Sequence, residues 1–199
     1  LSALIVRIQD YSEITMRIEK MNQLMQISHE LMKKVNLSEL EREIVSAAID
    51  FTNSTRGFLI KRDADGNNIY SVQMNKDKQI LSNIAGVSKT ALSITQTSLE
   101  AVSTFNAMLD NRFKSSISVQ DYQLHAIFCV PIIVDSFIYG FLYLDNLDDN
   151  TRAMYLKPEI IGLFIEQLTI AIKNAMLYED LLKKTSELNT FETLKDEFM

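Results

Sequence analysis

The chain has 199 residues, a formal net charge of −6, one cysteine, two histidines, five glycines and two prolines. That length fits one domain with attached helices, and 47% hydrophobic with 23% charged residues excludes wholesale disorder. The single cysteine excludes an internal disulfide framework and a multi-cysteine zinc site, and the two histidines argue against a His-rich metal centre. Twenty basic against 26 acidic residues give no electrostatic footprint for nucleic acid.

Glycine and proline are confined to the middle. They occupy Gly57, Gly66, Gly86, Pro131, Gly140, Pro158 and Gly162, and neither occurs in 1–56 or 163–199. Both residue types punctuate helices, so the two ends read as helical territory around a turn-rich centre. The chain begins at Leu1 without a basic segment leading into an apolar core, so it reads as a piece of a longer protein rather than a leader.

Residues 2–35 carry a helical pattern. Leu4, Tyr11, Ile18, Met25 and Met32 recur every seven residues, with Ile14, Met21 and Val35 offset beside them, which makes a seam of the kind that pairs helices. Leu24, Ile27 and Leu31 form a second apolar face from Met21 onward, and two faces require two burial partners. Ser38 and Glu41 have capping-box spacing and predict the start of a second helix, with Ile44, Ala47, Ala48 and Phe51 inward. A hairpin follows, in which Phe58–Ile60 and Ile69–Val72 flank Asp63-Ala64-Asp65-Gly66-Asn67. That acidic loop lacks the further acidic position and distal Glu of a calcium loop, so it reads as a turn.

Residues 77–88 read as loop, 88–100 as helix, 102–108 as strand and 109–123 as loop anchored by Phe113. Ala126–Leu144 is nineteen residues with one charge, and a hydropathy scan would flag it as a membrane span. Asp135-Ser136 at its centre, between β-branched and aromatic flanks, makes it strand–turn–strand instead. After a polar connection, Pro158 opens a last helix. Ile161, Phe164, Ile165, Leu168, Ile172 and Ala175 give that helix a broad face for a sheet. Beyond them the apolar row narrows to Leu177, Leu181, Leu188, Phe191 and Phe198, a two-helix seam. The element order predicts an α+β (α/β) sandwich, with a mixed, largely antiparallel sheet and both terminal helices on one face.

Four segments together resemble the GAF family of small-molecule sensory modules. They are Thr55-Arg56-Gly57-Phe58-Leu59, then Ile127-Phe128-Cys129-Val130-Pro131-Ile132, then Gly140-Phe141-Leu142-Tyr143-Leu144-Asp145-Asn146, then Gln167 to Tyr178. Thr193 to Met199 resembles the entry into the dimerisation helix of a sensor histidine kinase. The resemblance implies three parts: an N-terminal signalling helix over 1–20, a GAF domain over 21–182 and a C-terminal signalling helix over 183–199. It implies a GAF/PAS-like central antiparallel sheet with long signalling helices at both ends. It also implies a cytoplasmic regulatory domain, not itself an enzyme, that relays a small-molecule or redox signal to a downstream kinase module in two-component signalling. The expected partners are a second copy through the terminal helices (Leu4, Tyr11, Ile18, Met25, Met32, Leu181, Leu188, Phe191 and Phe198), the kinase module of the same chain, and an unidentified small molecule. No nucleic acid and no membrane span are expected. The alternatives are a ligand-free dimerisation module, or the GAF domain of a cyclase, phosphodiesterase or transcription activator.

The family places a ligand pocket on the sheet face away from the terminal helices. Its candidate linings here are Ser71, Gln73, Ile94, Phe105, Met108, Phe113, Cys129 and Tyr143; the same residues could equally fill a core, because alternation without a known register does not assign faces. No cofactor, metal ligand set or catalytic constellation is supported: the phosphate-loop, dinucleotide, HExxH and GxSxG patterns are absent. Val130 follows Cys129 where bilin-binding relatives have a His, and Asn75-Lys76 is not followed by the cyclic-nucleotide signature. Ile27-Ser28-His29-Glu30-Leu31 resembles a phospho-acceptor box without its continuation, so His29 reads as a helix position. His125 reads as a strand-end residue, although a ligand role for it stays open.

Overall fold

A computed structural model describes residues 2–82, 86–147 and 158–197. The elements in chain order are α1 (Ser2–Met32), α2 (Leu37–Thr52), β1 (Arg56–Arg62), β2 (Asn68–Asn75), α3 (Lys89–Ser98), β3 (Val102–Thr104), α4 (Ile117–Asp121), β4 (Ala126–Val134), β5 (Phe137–Asn146) and α5 (Pro158–Glu197). The five strands form one sheet in the order β2-β1-β5-β4-β3, and every neighbouring pair is antiparallel rather than mixed.

Local chemistry sets the element ends. Asn36, not Ser38, caps α2: its side chain accepts the Glu39 N–H at 3.0 Å. Ser38 and Glu41 therefore sit inside the helix, and Glu41 turns into the core instead of back to a cap. In the β1–β2 loop the Asp63 carboxylate accepts the N–H groups of Asp65 at 3.0 Å and Asn67 at 2.7 Å, while Gly66 takes φ +82°. Ser88 caps α3, which ends at Ser98 because Leu99 is left-handed at φ 55°. β3 ends at Thr104, not Met108, since the Ala107 N–H bonds to the His125 carbonyl at 2.6 Å. A short α4 lies within the stretch read as loop. Asp135 and Ser136, at φ 46° and 69°, form the two-residue β4–β5 turn.

Strand alternation gives the sheet two apolar faces. Leu59, Phe128, Val130, Leu142 and Leu144 face α1, α2 and α5, where they meet Leu40, Ile44, Phe51, Phe164 and Leu168. Phe58, Ile60, Cys129, Phe141 and Tyr143 face the other way, beneath α3 and the 107–124 segment.

The two-faced reading of α1 is visible in its burial. Leu24 and Leu31 are buried and Ile27 packs against the helix-side core, whereas Tyr11 and Met25 are 72% and 62% exposed, with Ile18 and Met32 also outward. α5 divides along its length. Phe164, Leu168, Ala171, Ile172 and Ala175 are buried, while Leu177, Leu181, Leu188 and Phe191 are exposed. The Ser28 hydroxyl lies 2.6 Å from Gln167 Oε1, and the Asn174 amide 3.3 Å from Met32 Sδ, so α1 and α5 run in the same direction. The side chain of Leu4, and Phe198 as a whole, lie outside the described residues. α5 is long and apolar enough over Ile160–Glu192 to cross a membrane by length and composition, and its buried face is the one packed on this sheet.

Candidate functional site

The face away from the terminal helices carries the candidate site. Tyr143 and Cys129 are register partners on β5 and β4, both buried, with Phe113 closing over them. Ile94 of α3 packs against this layer. Gln73 pairs with Phe58 across β1–β2; it is half-buried, and its Oε1 has no hydrogen-bond partner. Three of the eight expected residues are not brought in. Ser71 is the extra residue of a bulge in β2 and is exposed. Phe105 and Met108 follow the end of β3, so strand alternation no longer orients them, and both are exposed.

Sequence reasoning missed the charged centre of this layer. Arg56 and Asp145 are register partners at the ends of β1 and β5. The guanidinium grips the carboxylate in a fork, with Nε to Oδ1 at 2.9 Å and Nη2 to Oδ2 at 2.6 Å, and its Cζ stands 5.5 Å from the Phe58 ring centroid. Both residues lay in the motifs that carried the family resemblance, but only as letters of a pattern. A charge at each of two apolar strand ends was the signal available.

The hydrogen bonds and protonation states make this layer closed rather than reactive. The Tyr143 hydroxyl accepts the Ser88 N–H at 3.0 Å, which ties β5 to the cap of α3. Burial, and then the Asp145 charge, push the Tyr143 phenol well above its usual range. Burial likewise pushes the Cys129 thiol up to about 12, while Thr95 donates to the Cys129 carbonyl at 3.4 Å. A thiol that stays protonated is neither a nucleophile nor a redox sensor at neutral pH. Native protein at pH 8 is therefore expected to resist alkylation at Cys129 and to react fully once denatured; rapid stoichiometric labelling of the folded chain would contradict this burial. The stability consequence has a definite sign. The folded thiol titrates near 12 against about 9 unfolded, so its contribution is complete below pH 9 and is lost as pH rises toward 12. Cys129→Val should flatten that alkaline decline.

An antiparallel five-stranded sheet with long terminal helices on one face, and a roof helix with loops on the other, defines an α+β layer architecture. It is the GAF fold. The GAF domain of a phosphoenolpyruvate-protein phosphotransferase (ptsP) from Coxiella burnetii aligns at TM-score 0.56 and 18% identity, covering 85% of this chain and 98% of that one. Bacteriophytochrome RpBphP3 from R. palustris aligns at TM-score 0.63 and 12% identity, over 88% of this chain and 42% of its own. The phycocyanobilin-bound GAF domain of a cyanobacterial phytochrome aligns at 0.57 and 13% identity, over 79% and 96%. No protein-family profile matches the sequence, and no curated protein matches it.

Proposed function

We propose that this chain is a regulatory sensory domain that relays a signal through a parallel helical homodimer to a histidine kinase module of the same polypeptide, in the cytoplasm, without catalysing a reaction itself. The observation that carries this reading is α5. It is one uninterrupted helix of 40 residues, its first half built into the sheet core and its second half bearing an exposed apolar row. At about 1.5 Å per residue it is roughly 60 Å long, enough to carry a displacement beyond the domain. The exposed seam of α1 runs parallel to it, so two copies can pair along both helices. Small rotations in such a pair change the register of whatever helices follow. The protonated, buried thiol favours a small molecule over redox change as the signal.

The test is the mass of this chain in solution together with its output. Light scattering at high concentration should give a dimer, and a fusion upstream of a histidine kinase catalytic module should have an activity that varies with residues inserted after Leu182. A strictly monomeric chain removes the relay. The ligand-free dimerisation module is favoured by one specific observation: Phe113, Cys129 and Tyr143 are fully packed against their neighbours. A native mass spectrum of the purified dimer separates the two readings, since a bound small molecule supports the sensor.

A further inference from the structure

β5 carries two buried tyrosines four residues apart, and they point to opposite faces of the sheet. Regular alternation would place Tyr139 on the same face as Phe141 and Tyr143. It does not, because the β4–β5 register shifts: Ile132 pairs with Gly140, and Ile133 with Ile138. Tyr139 is the extra residue of that bulge and turns into the helix-side core. Gly140 beside it permits the close approach of β1, since a Cβ there would stand 2.8 Å from the Ile60 carbonyl oxygen.

Tyr139 ends in a charged cluster. Its hydroxyl donates to Glu41 Oε1 of α2, which also pairs with the Lys61 ammonium of β1. Lys61 lies 4.5 Å from the Tyr139 ring centroid. One turn before Glu41, the Leu37 N–H of α2 donates to Glu179 Oε1 of α5 at 3.2 Å. Glu179 stands just past Ala175, the last fully buried apolar residue of α5 among the described residues. On the other face Tyr143 holds the Ser88 N–H at the cap of the roof helix α3.

We infer that β5 is a two-sided latch. Its Tyr143 reads the position of α3, and its bulged Tyr139, through Glu41 and the first turn of α2, sets how firmly α5 is held where it leaves the sheet. This rests on the proposed role of α5 as the output helix, but the coupling belongs to this chain alone. Phe141 and Leu142, between the two tyrosines, are paired to β1 on one side and β4 on the other, so a shift of α3 that drags Tyr143 is carried along β5 to the bulge and the Tyr139 hydroxyl. Glu41 is buried and has its partners fixed in the same cluster, so the motion is passed to α2 rather than absorbed by water.

Amide hydrogen exchange of the unfused chain tests it with two conservative variants. Tyr143→Phe removes the bond to α3, yet it should speed exchange about fivefold or more in residues 174–182, on the far face, the low end of an ordinary coupling between sites. Tyr139→Phe should do the reverse and speed exchange in residues 88–98. If each variant changes only the face its own hydroxyl touches, or neither face, the latch is overturned. The variants read one coupling from opposite sides, so either one that keeps the protection of β1 and β4 decides the matter. Failure here leaves a dimeric, kinase-competent fusion intact, and a monomeric chain with no output leaves the latch intact.

Discussion

Replacing Arg56 with Met is expected to cost about 3–5 kcal/mol of folding stability, the usual penalty for stranding one member of a buried ion pair. Asp145 is completely buried and its partner nearly so. Burial raises the Asp145 carboxyl above its ordinary range even against the pull of Arg56, so the ionised form is held at a net desolvation cost. Without the guanidinium fork only the Tyr143 hydroxyl is left to offset that cost. The sign with pH follows. A carboxyl whose folded pKa is raised contributes most in acid, and that contribution is lost as pH rises through the folded value. The deficit of Arg56→Met should therefore be largest at neutral pH and shrink on acidification, because a protonated Asp145 needs no counter-charge. Removing both charges in Arg56→Met with Asp145→Leu should recover most of the loss, since apolar pairs commonly replace buried ion pairs at little cost. Urea midpoints of the two single variants and the double variant, at two pH values, measure this; equal losses in single and double variants would falsify the account.

The long helices were legible in the sequence because their signal is periodic, whereas the five-residue α4 is too short to show a period. Leu24 and Leu31 against Tyr11 and Met25 already separate a domain face from an outward one, and Phe164 and Leu168 against Leu181 and Leu188 do the same in α5. The hairpins were legible from turn chemistry at Asp63–Asn67 and Asp135-Ser136. Single-residue events were not. The bulges at Ser71 and Tyr139 insert one residue, leave no mark on composition and reverse the face of what they touch. The β3 boundary failed for a related reason: Phe105 to Met108 is apolar enough for a strand, but the Ala107 N–H found the His125 carbonyl instead. The cap of α2 was a contest between Asn36 and Ser38, each chemically able. The candidate site suffered most. Its residue types were readable, but their faces depend on register, and its Arg56–Asp145 pair joins strands 89 positions apart.

Truncating Phe164 to Ala is expected to cost about 3–5 kcal/mol, and to loosen three helices rather than one. Its ring stacks on Phe51 of α2 with centroids 4.7 Å apart and planes within 18°. The opposite tie comes from α1, where the Lys20 ammonium lies 5.0 Å from the Phe51 centroid and donates to the Phe51 carbonyl at 2.8 Å. Burial lowers the Lys20 pKa, the mark of an ammonium partly withdrawn from water to reach this junction. Both rings are fully buried, so the cavity left by Ala cannot be filled by solvent-facing side chains without moving a helix. Phe164→Leu should lose much less, about 1.5 kcal/mol or under, because most of the volume remains. A cycle with Phe51→Leu should show about 0.5–1.5 kcal/mol of coupling from the ring pair itself. Location distinguishes this junction from general weakening: hydrogen exchange in Phe164→Ala should rise along α1, α2 and the first half of α5 while β4 and the Tyr143 layer keep their protection. A loss below about 1 kcal/mol, or one spread evenly over both faces of the sheet, would mean that the helices are held elsewhere.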